Sequence, residues 1–396
     1  MAAPFRVAGE VDQTQMMNSE DPGWPTMSYQ RLVVKLGTNL LTAGTDKLDL
    51  EVMASLVGQI ARLRQEGRQV IVVSSGAVAA GRHRLGNLRQ LKNVPLRQVC
   101  AAVGQSILMD AYDQLFGWHD ITIAQTLVTR GDLQNRQSYL NARNTLLSLL
   151  ELGIVPIVNE NDVVAVDELE GASFGDNDNL SALVANLVDA DALVLLTDID
   201  GLYTADPALH RDAMQIPLVE RIDERIEAIA GGTSSKRARG GMITKIQAAK
   251  LATASGVAVV IARGYNKDIL QRLSQGEPAG TLFLPTTSRL ESRKRWMLSG
   301  LSQKGTITVD EGAVSAICHD DRSLLPAGVK HAEGAFLRGD IVSIRDAIGR
   351  EIAYGVVNYN ADDVAKLRGL KSSQIQSALG YHYGDEVVHR NNLVVL

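Results

Sequence analysis

Between residues 30 and 264, short apolar runs alternate with longer amphipathic segments. The apolar runs are rich in Val, Ile and Leu without a polar residue at every second position, which is typical of strands buried on both faces. Predicted strands lie within 31–37, 69–81, 121–129, 154–162, 191–203 and 257–264. Helical periodicity marks 48–67, 96–116, 137–153, 179–190 and 240–256. This order predicts an α/β fold, a three-layer αβα sandwich around a mainly parallel sheet.

The pattern changes near residue 280, where the helical periodicity ends and short strands with turns follow. We therefore predict a flexible tail over 1–28, a first domain over 29–275, a linker over 276–303 and a small, mostly β domain over 304–390. The tail lacks the apolar block of a signal peptide, and its one arginine and four acidic residues are unlike an organellar transit peptide.

Composition narrows the functional class. The 396 residues are 45% hydrophobic and 21% charged, which is typical of a soluble globular protein. The net charge of −5 provides no general attraction for nucleic acid or membranes. Cys100 and Cys318 are too few for a disulfide framework and fit a reducing compartment, so we expect a cytoplasmic protein. No apolar run reaches the roughly 18 residues that a membrane span needs.

Glycine-rich corners follow several predicted strands. In open α/β sheets ligands bind at the carboxyl ends of the strands, so these corners are expected to meet. Glycine lets backbone N–H groups approach an anion closely, and two lysines accompany the corners. We predict a phosphate-binding site here, although the chain contains neither GxxxxGK[ST] nor GxGxxG. Its candidate residues are Gly37, Gly76, Gly240 and Gly241, with Lys35 and Lys245.

Six segments in this order and spacing resemble the amino acid kinase family. They are "VVKLGTNLL", "VSSGAVAAG", "VNENDVVA", "GDNDNLSALVA", "LLTDIDGLYTADP" and "GGMITKIQAA". The later "ITVDEGA", "SLLPAGV" and "LGY" resemble the PUA domain. The resemblance covers nearly all of 31–390 and implies the amino acid kinase fold followed by a PUA domain.

The resemblance implies that ATP phosphorylates the side-chain carboxylate of L-glutamate, giving L-glutamyl 5-phosphate in the first step of proline biosynthesis. A carboxylate with an ordinary pKa near 4.3 is already ionised at neutral pH, so this attack needs no general base. Accordingly, none of the seven histidines lies in the glycine-rich corners. Mg²⁺ is implied as the partner of ATP, and no protein ligand to it is predicted.

Roles for individual residues follow from the same resemblance. Lys35 and Lys245 are expected at the phosphoryl group, with Asp178 between them. Ser75, Asp162 and Asn177 are expected to bind the amino-acid substrate. Asp176 or Asn177 is expected to cap a helix that begins near residue 179. The expected nucleotide-binding residues are Lys35, Thr197, Asp198, Arg239, Gly240, Gly241, Met242, Ile243, Thr244 and Lys245, of which Arg239 departs from the small residue or Thr that is usual there.

The resemblance also implies partners. It implies feedback inhibition by proline and a homo-oligomer, dimer or tetramer, formed through the kinase domain. The labile acyl phosphate product suggests contact with the glutamyl phosphate reductase that consumes it. PUA domains bind RNA in other proteins, but residues 301–396 hold 10 Lys and Arg against 12 Asp and Glu. RNA is therefore not the expected partner.

Two alternatives remain open at this point. One is a sibling kinase that acts on aspartate, acetylglutamate, carbamate or a nucleoside monophosphate. The other is an RNA-binding or scaffold protein whose kinase domain is inactive. The first would differ in its phosphoryl acceptor, and the second would show no turnover and a salt-sensitive affinity for RNA.

Overall fold

The structure is a computed structural model that describes residues 24–25, 29–86, 94–165, 177–207, 209–231, 241–288 and 304–396. Arg239, Gly240 and Asp176, for which site or capping roles are predicted, lie outside these ranges. Across the described residues, no helix combines the length and the apolar character that crossing a bilayer requires.

The first domain is built on a mainly parallel sheet. Its eight described strands have the order β3-β4-β2-β1-β5-β7-β8-β6. Only the pairing of β7 with β8 is antiparallel. This places the ends of β1, β2, β4 and β5 at one edge. The strands are β1 (Arg31–Leu36), β2 (Gln69–Ser74), β3 (Ile123–Val128), β4 (Val155–Glu160), β5 (Ala192–Thr197), β6 (Leu218–Val219), β7 (Ala258–Arg263) and β8 (Thr281–Phe283).

Helices cover both faces of this sheet. Leu32 and Val34 of β1 belong to one apolar core, and the intervening Val33 belongs to the other, as the alternation of side chains in a strand requires. The three-layer sandwich is thereby confirmed. The helices are α1 (Thr38–Leu41), α2 (Leu50–Gln65), α3 (Ala77–Arg84), α4 (Val94–Gly117), α5 (Arg130–Gln134), α6 (Arg136–Glu151), α7 (Asn177–Leu187), α8 (Glu224–Gly231), α9 (Met242–Thr253) and α10 (Ile269–Ser274).

The second domain is a separate sheet with its own core. Its described strands have the order β10-β9-β11-β12-β13, and Phe336 and Tyr359 lie fully buried among its aliphatic residues. The strands are β9 (Gly305–Val309), β10 (Val329–Gly334), β11 (Ile341–Arg345), β12 (Glu351–Val356) and β13 (Leu393–Val395). The helices are α11 (Glu311–Cys318), α12 (Ala361–Leu367) and α13 (Ile375–Leu379).

Four details differ from the sequence-based expectations. The first sheet includes β8, beyond the predicted boundary at 275, and the second includes β13, beyond 390. Strands of three residues are too short to show a pattern. Trp24, inside the predicted flexible tail, is buried and donates from Nε1 to the carbonyl of Pro217 at 3.1 Å. Helix α7 begins at Asn177, so this residue lies in the first turn instead of capping a helix that starts near 179.

The two domains meet at α6. Arg143 of this helix is almost fully buried, and its guanidinium donates to Asn392 Oδ1 at 2.8 Å and to the carbonyl of Asn391 at 2.7 Å. The same group donates to the carbonyl of Leu187, the last residue of α7, and pairs with Asp189. One buried cation therefore joins the second domain to the C-terminal end of α7.

Candidate active site

Two lysines and one aspartate meet at the carboxyl edge of the first sheet. Lys35 Nζ lies 2.6 Å from Asp178 Oδ1, and Lys245 Nζ lies 3.1 Å from Asp178 Oδ2. Thr244 Oγ1 also donates to Asp178 Oδ2 at 3.0 Å. Asp178 has no exposed surface, and both lysines are buried. The structure thus brings together the three residues predicted to be catalytic, although 210 positions separate Lys35 from Lys245.

Local structure explains this convergence. Lys35 lies on the same face of β1 as Val33, toward the layer that contains α7 and α9. Asp178 is in the first turn of α7, and Lys245 is in the first turn of α9. Helix N-termini favour a carboxylate. The two helices pack against each other, so their first turns converge over the end of β1.

The charge state of Asp178 follows from two opposing effects. Burial alone would raise the pKa of its carboxyl group, but the ammonium groups of Lys35 and Lys245 outweigh burial and hold the pKa of Asp178 well below its usual range. The aspartate is therefore ionised at neutral pH. It holds two cations at fixed positions, which leaves one net positive charge in a buried corner and suits an anionic ligand.

A second polar cluster lies beside this group. Asn177 Nδ2, which carries two hydrogens, lies within hydrogen-bonding distance of three acceptors: the carbonyl of Ser74 at 2.6 Å, Ser75 Oγ at 2.9 Å and Asn159 Oδ1 at 3.0 Å. Asn177 Oδ1 is buried and has no hydrogen-bond partner among the described residues. Asp162 is also buried, in the turn after β4. The predicted substrate residues Ser75, Asp162 and Asn177 thus lie at neighbouring strand ends, and their role remains a prediction.

The structure adds residues to this cluster that the sequence did not single out. The backbone N–H of Glu160 donates to Asn159 Oδ1, so Asn159 Nδ2 faces Gln105 Oε1 on α4, at 2.8 Å. Behind the Ser75 turn, Ser74 Oγ lies 2.8 Å from the hydroxyl of the fully buried Tyr112. Burial raises the pKa of Tyr112, so this hydroxyl is protonated. Asn159 could have been predicted from the sequence, because it lies three residues before Asp162 at the same strand end.

The described members of the predicted nucleotide-binding set lie at the end of β5 and the start of α9. Thr197 ends β5, and its Oγ1 donates to Asp198 Oδ1 at 3.0 Å. Asn39 Nδ2 lies 3.5 Å from Asp198 Oδ2. Gly241 directly precedes α9, and its carbonyl accepts from Thr244 Oγ1 at 3.0 Å. Met242, Ile243, Thr244 and Lys245 form the first turn of α9.

Two glycines predicted to cradle phosphate precede short helices. Gly37 precedes α1, and a Cβ there would lie 3.7 Å from Lys35 Nζ, so glycine keeps the space beside this ammonium open. Gly76 precedes α3 with a φ of 98°, a left-handed conformation that favours glycine.

Among the described residues, no cluster of three or more His, Cys, Asp or Glu side chains is arranged to hold a metal ion.

Comparisons with known proteins agree with this architecture. The amino acid kinase family matches residues 30–263, and the PUA domain matches residues 305–379. A glutamate 5-kinase from Dehalococcoides mccartyi is 56% identical over 93% of this chain and 99% of that protein. A glutamate 5-kinase from Herpetosiphon aurantiacus is 51% identical over 92% of this chain and 98% of that protein. The structure of a UMP kinase from Bacillus anthracis matches 66% of this chain and 98% of the UMP kinase chain, with 15% identity and a TM-score of 0.46. This similarity is too low to bear on the substrate.

Proposed function

Since the chain belongs to the amino acid kinase family and, within it, to the glutamate 5-kinases, we propose that it transfers the γ-phosphoryl group of ATP to the side-chain carboxylate of L-glutamate. The products are L-glutamyl 5-phosphate and ADP, and the reaction is the first step of proline biosynthesis. The observation that carries the proposal is the buried Asp178 carboxylate, which holds the ammonium groups of Lys35 and Lys245 together at the sheet edge.

The chemistry requires positioning and charge neutralisation more than proton transfer. An oxygen of the glutamate side-chain carboxylate attacks the γ-phosphorus as the bond from that phosphorus to the bridging β,γ-oxygen breaks, and ADP takes the electron pair. Lys245 stabilises the negative charge on the transferred group, and Lys35 binds it from the end of β1. Asp178 does not accept the proton of any reactant, because the two ammonium groups hold its pKa well below the usual range and contact both of its oxygens.

The glutamate backbone binds on the side of Ser75, Asp162 and Asn177. The buried Asp162 carboxylate pairs with the α-ammonium group, and Asn177 Oδ1, which has no partner among the described residues, accepts a second hydrogen bond from it. Ser75 Oγ completes this corner. Asn159 orients Asn177 from behind, through the 3.0 Å hydrogen bond between them.

ATP occupies the opposite corner, between the end of β5 and the start of α9. Thr197 and Asp198 contact the nucleoside portion, and the Arg239–Lys245 segment and Gly37 contact the phosphates through backbone N–H groups. Gly76, like Gly37, is proposed to cradle a phosphate through its backbone N–H group. Mg²⁺ bound to ATP would neutralise charge on the phosphates, and no described residue is assigned as its ligand.

Further parts of the proposal concern regulation and partners. We propose inhibition by proline at or near the glutamate corner, a homo-oligomer formed through the first domain, and delivery of the labile product to a glutamyl phosphate reductase. Cys100 and Cys318 are free thiols, which supports a cytoplasmic location.

An acceptor screen tests the substrate. ADP release is measured with L-glutamate, L-aspartate, N-acetylglutamate, carbamate and UMP, each with and without proline. We expect turnover with L-glutamate and a decrease on addition of proline. Turnover with aspartate in the absence of turnover with glutamate would refute the substrate assignment. Absence of turnover with every acceptor would favour an inactive kinase domain.

A further inference from the structure

A cavity of about 360 Å³ opens to the surface between α5, α7 and α9, outside the corners described above. This volume falls within the range of small-molecule sites, about 300–1,000 Å³. The walls come from α5, the end of β4, α7 and α9. The lining residues are Arg130, Leu133, Gln134, Glu160, Asn179, Leu180, Leu183, Gln247 and Leu251.

The cavity and the substrate corner lie on opposite faces of β4. Side chains alternate along a strand, so Asn159 faces Gln105 and Asn177, whereas Glu160 faces the cavity. Successive residues of α7 also face the substrate corner and the cavity separately. Asn177 faces the substrate corner and Asp178 the lysines, and the next residue, Asn179, lines the cavity. A ligand in the cavity would therefore contact the catalytic helices without occupying the glutamate corner.

One atom of the wall, Asn179 Nδ2, is buried and has no hydrogen-bond partner among the described residues. A buried donor without an acceptor is destabilising, and such groups in native structures need an explanation. Because Asn179 lines the cavity, a ligand atom that accepts a hydrogen bond provides that explanation.

The chemistry of the walls defines the class of ligand. Leu133, Leu180, Leu183 and Leu251 supply an apolar surface for an aliphatic group. Arg130 and Glu160 bring one cation and one anion to the same cavity, and Asn179 adds an amide donor. A carboxylate suits Arg130 and Asn179, and an ammonium group suits Glu160. These complements occur together in an amino acid with an aliphatic side chain.

We propose that this cavity binds a zwitterionic amino acid with a branched aliphatic side chain, at a site distinct from the glutamate corner. The proposal does not rest on phosphoryl transfer, because binding can be measured without ATP. A failure to detect binding would therefore not count against the proposed kinase activity.

Isothermal titration of the full chain with L-leucine, in the presence of saturating L-glutamate, tests the proposal. We expect a dissociation constant of about 1 mM or tighter. The Asn179→Leu variant, which keeps the side-chain size but loses the donor, should bind about tenfold more weakly. Leu183→Trp should abolish binding by filling the cavity, and 4-methylpentanoate and 3-methylbutylamine, which each lack one charge, should bind more weakly than leucine.

Leu152→Trp is the matched control, because Leu152 is exposed at the end of α6 and does not line the cavity. It should bind L-leucine like the wild type. Circular dichroism checks that each variant folds. If Leu183→Trp does not fold, the Asn179→Leu variant alone tests the proposal. The proposal is overturned if L-leucine does not bind, if L-glutamate displaces it, or if the folded cavity variants bind it unchanged.

Discussion

At the residue scale, the buried pair of lysines is the basis for the proposed binding of a transferring phosphoryl group. Lys35 and Lys245 would repel each other without the carboxylate of Asp178, which contacts both. Asp178 therefore holds the two cations at fixed positions, so that little reorganisation is needed as charge develops on the transferred group.

Lys245→Met should lower kcat by about 100-fold or more, because the side chain keeps its apolar stem and loses the charge at the transferring phosphate. Lys250→Met is the matched control. Lys250 lies on the same helix but is exposed, and its partner Glu227 is also exposed. Steady-state turnover with ATP and L-glutamate should be unchanged in Lys250→Met. A similar loss in both variants would show that the effect comes from α9 as a whole.

The ionised state of Asp178 gives stability a defined pH dependence. The folded-state pKa lies below the unfolded value of about 3.9, so the contribution of the ionised carboxylate is complete above that value and declines as the pH falls below it. Urea unfolding at several pH values should show a constant difference between the wild type and Asp178→Asn above about pH 5. That difference should shrink below about pH 4, and growth toward acid would contradict this account.

In the sequence, Lys35 and Lys245 were indicated by their places at a strand end and a helix start, and Asp178 was indicated by the resemblance to the amino acid kinase family. The sequence did not indicate Gln105 or Tyr112. Both lie within an ordinary helical pattern, and their polar contacts depend on how α4 packs against β2 and β4. Side-chain pairing across elements is not encoded in local periodicity.

At the element scale, close contact between α3 and α4 supports the Ser75 turn. A Cβ on Gly104 would lie 1.7 Å from the carbonyl oxygen of Ala77, and one on Gly81 would lie 1.8 Å from that of Cys100. The two helix backbones therefore touch at paired glycines. Because α3 begins directly after the Ser75–Gly76 corner, its position sets the position of that corner.

Gly104→Ala should reduce the free energy of unfolding by about 3 kcal/mol, since the new methyl group meets backbone that cannot move alone. It should also raise the KM for L-glutamate by displacing Ser75. Gly117→Ala, at the other end of α4, has no atom within 4 Å of the added Cβ and should stay within about 0.5 kcal/mol of the wild type. Urea denaturation and KM values measure both effects, and equal stability of the two variants would disprove the contact.

Helical periodicity predicted α4 from the sequence, but it predicted neither α3 nor the glycine contact between the two helices. The short elements β6, β8, α8 and α10 went unpredicted as well. Strands β6 and β8 have two and three residues, too few to show a hydrophobic period. Strand β8 is fixed in the sheet by its antiparallel pairing with β7. Long elements carry their own signal, whereas short edge elements depend on tertiary pairing.

At the scale of the whole molecule, Arg143 links the second domain to α7, the helix that carries Asp178. It contacts the carbonyl of Asn391 and the side chain of Asn392 in one domain, and the carbonyl of Leu187 and the Asp189 carboxylate in the other. Helix α7 thus carries Asp178 at its start and is joined to the second domain at its end. The sequence predicted both domains but not this junction, which pairs residues almost 250 positions apart.

Arg143→Met should destabilise the chain by about 3 kcal/mol, because it removes a buried cation and leaves its acceptors without a donor. Arg136→Met is the matched control at the same junction. Arg136 lies 3.4 Å from Asp340 and is more exposed, so its loss should cost less than about 1 kcal/mol. Chemical denaturation followed by circular dichroism compares the variants, and equal costs would argue against Arg143 as the main link.

The turnover number of Asp178→Asn tests the central claim most directly. Asparagine keeps the size of the side chain but cannot balance two ammonium groups. We predict that kcat with ATP and L-glutamate falls by about 100-fold or more, while the circular dichroism spectrum remains that of the folded protein. A folded variant that retains a kcat within about threefold of the wild type would contradict the account, because that difference is under 1 kcal/mol in the barrier.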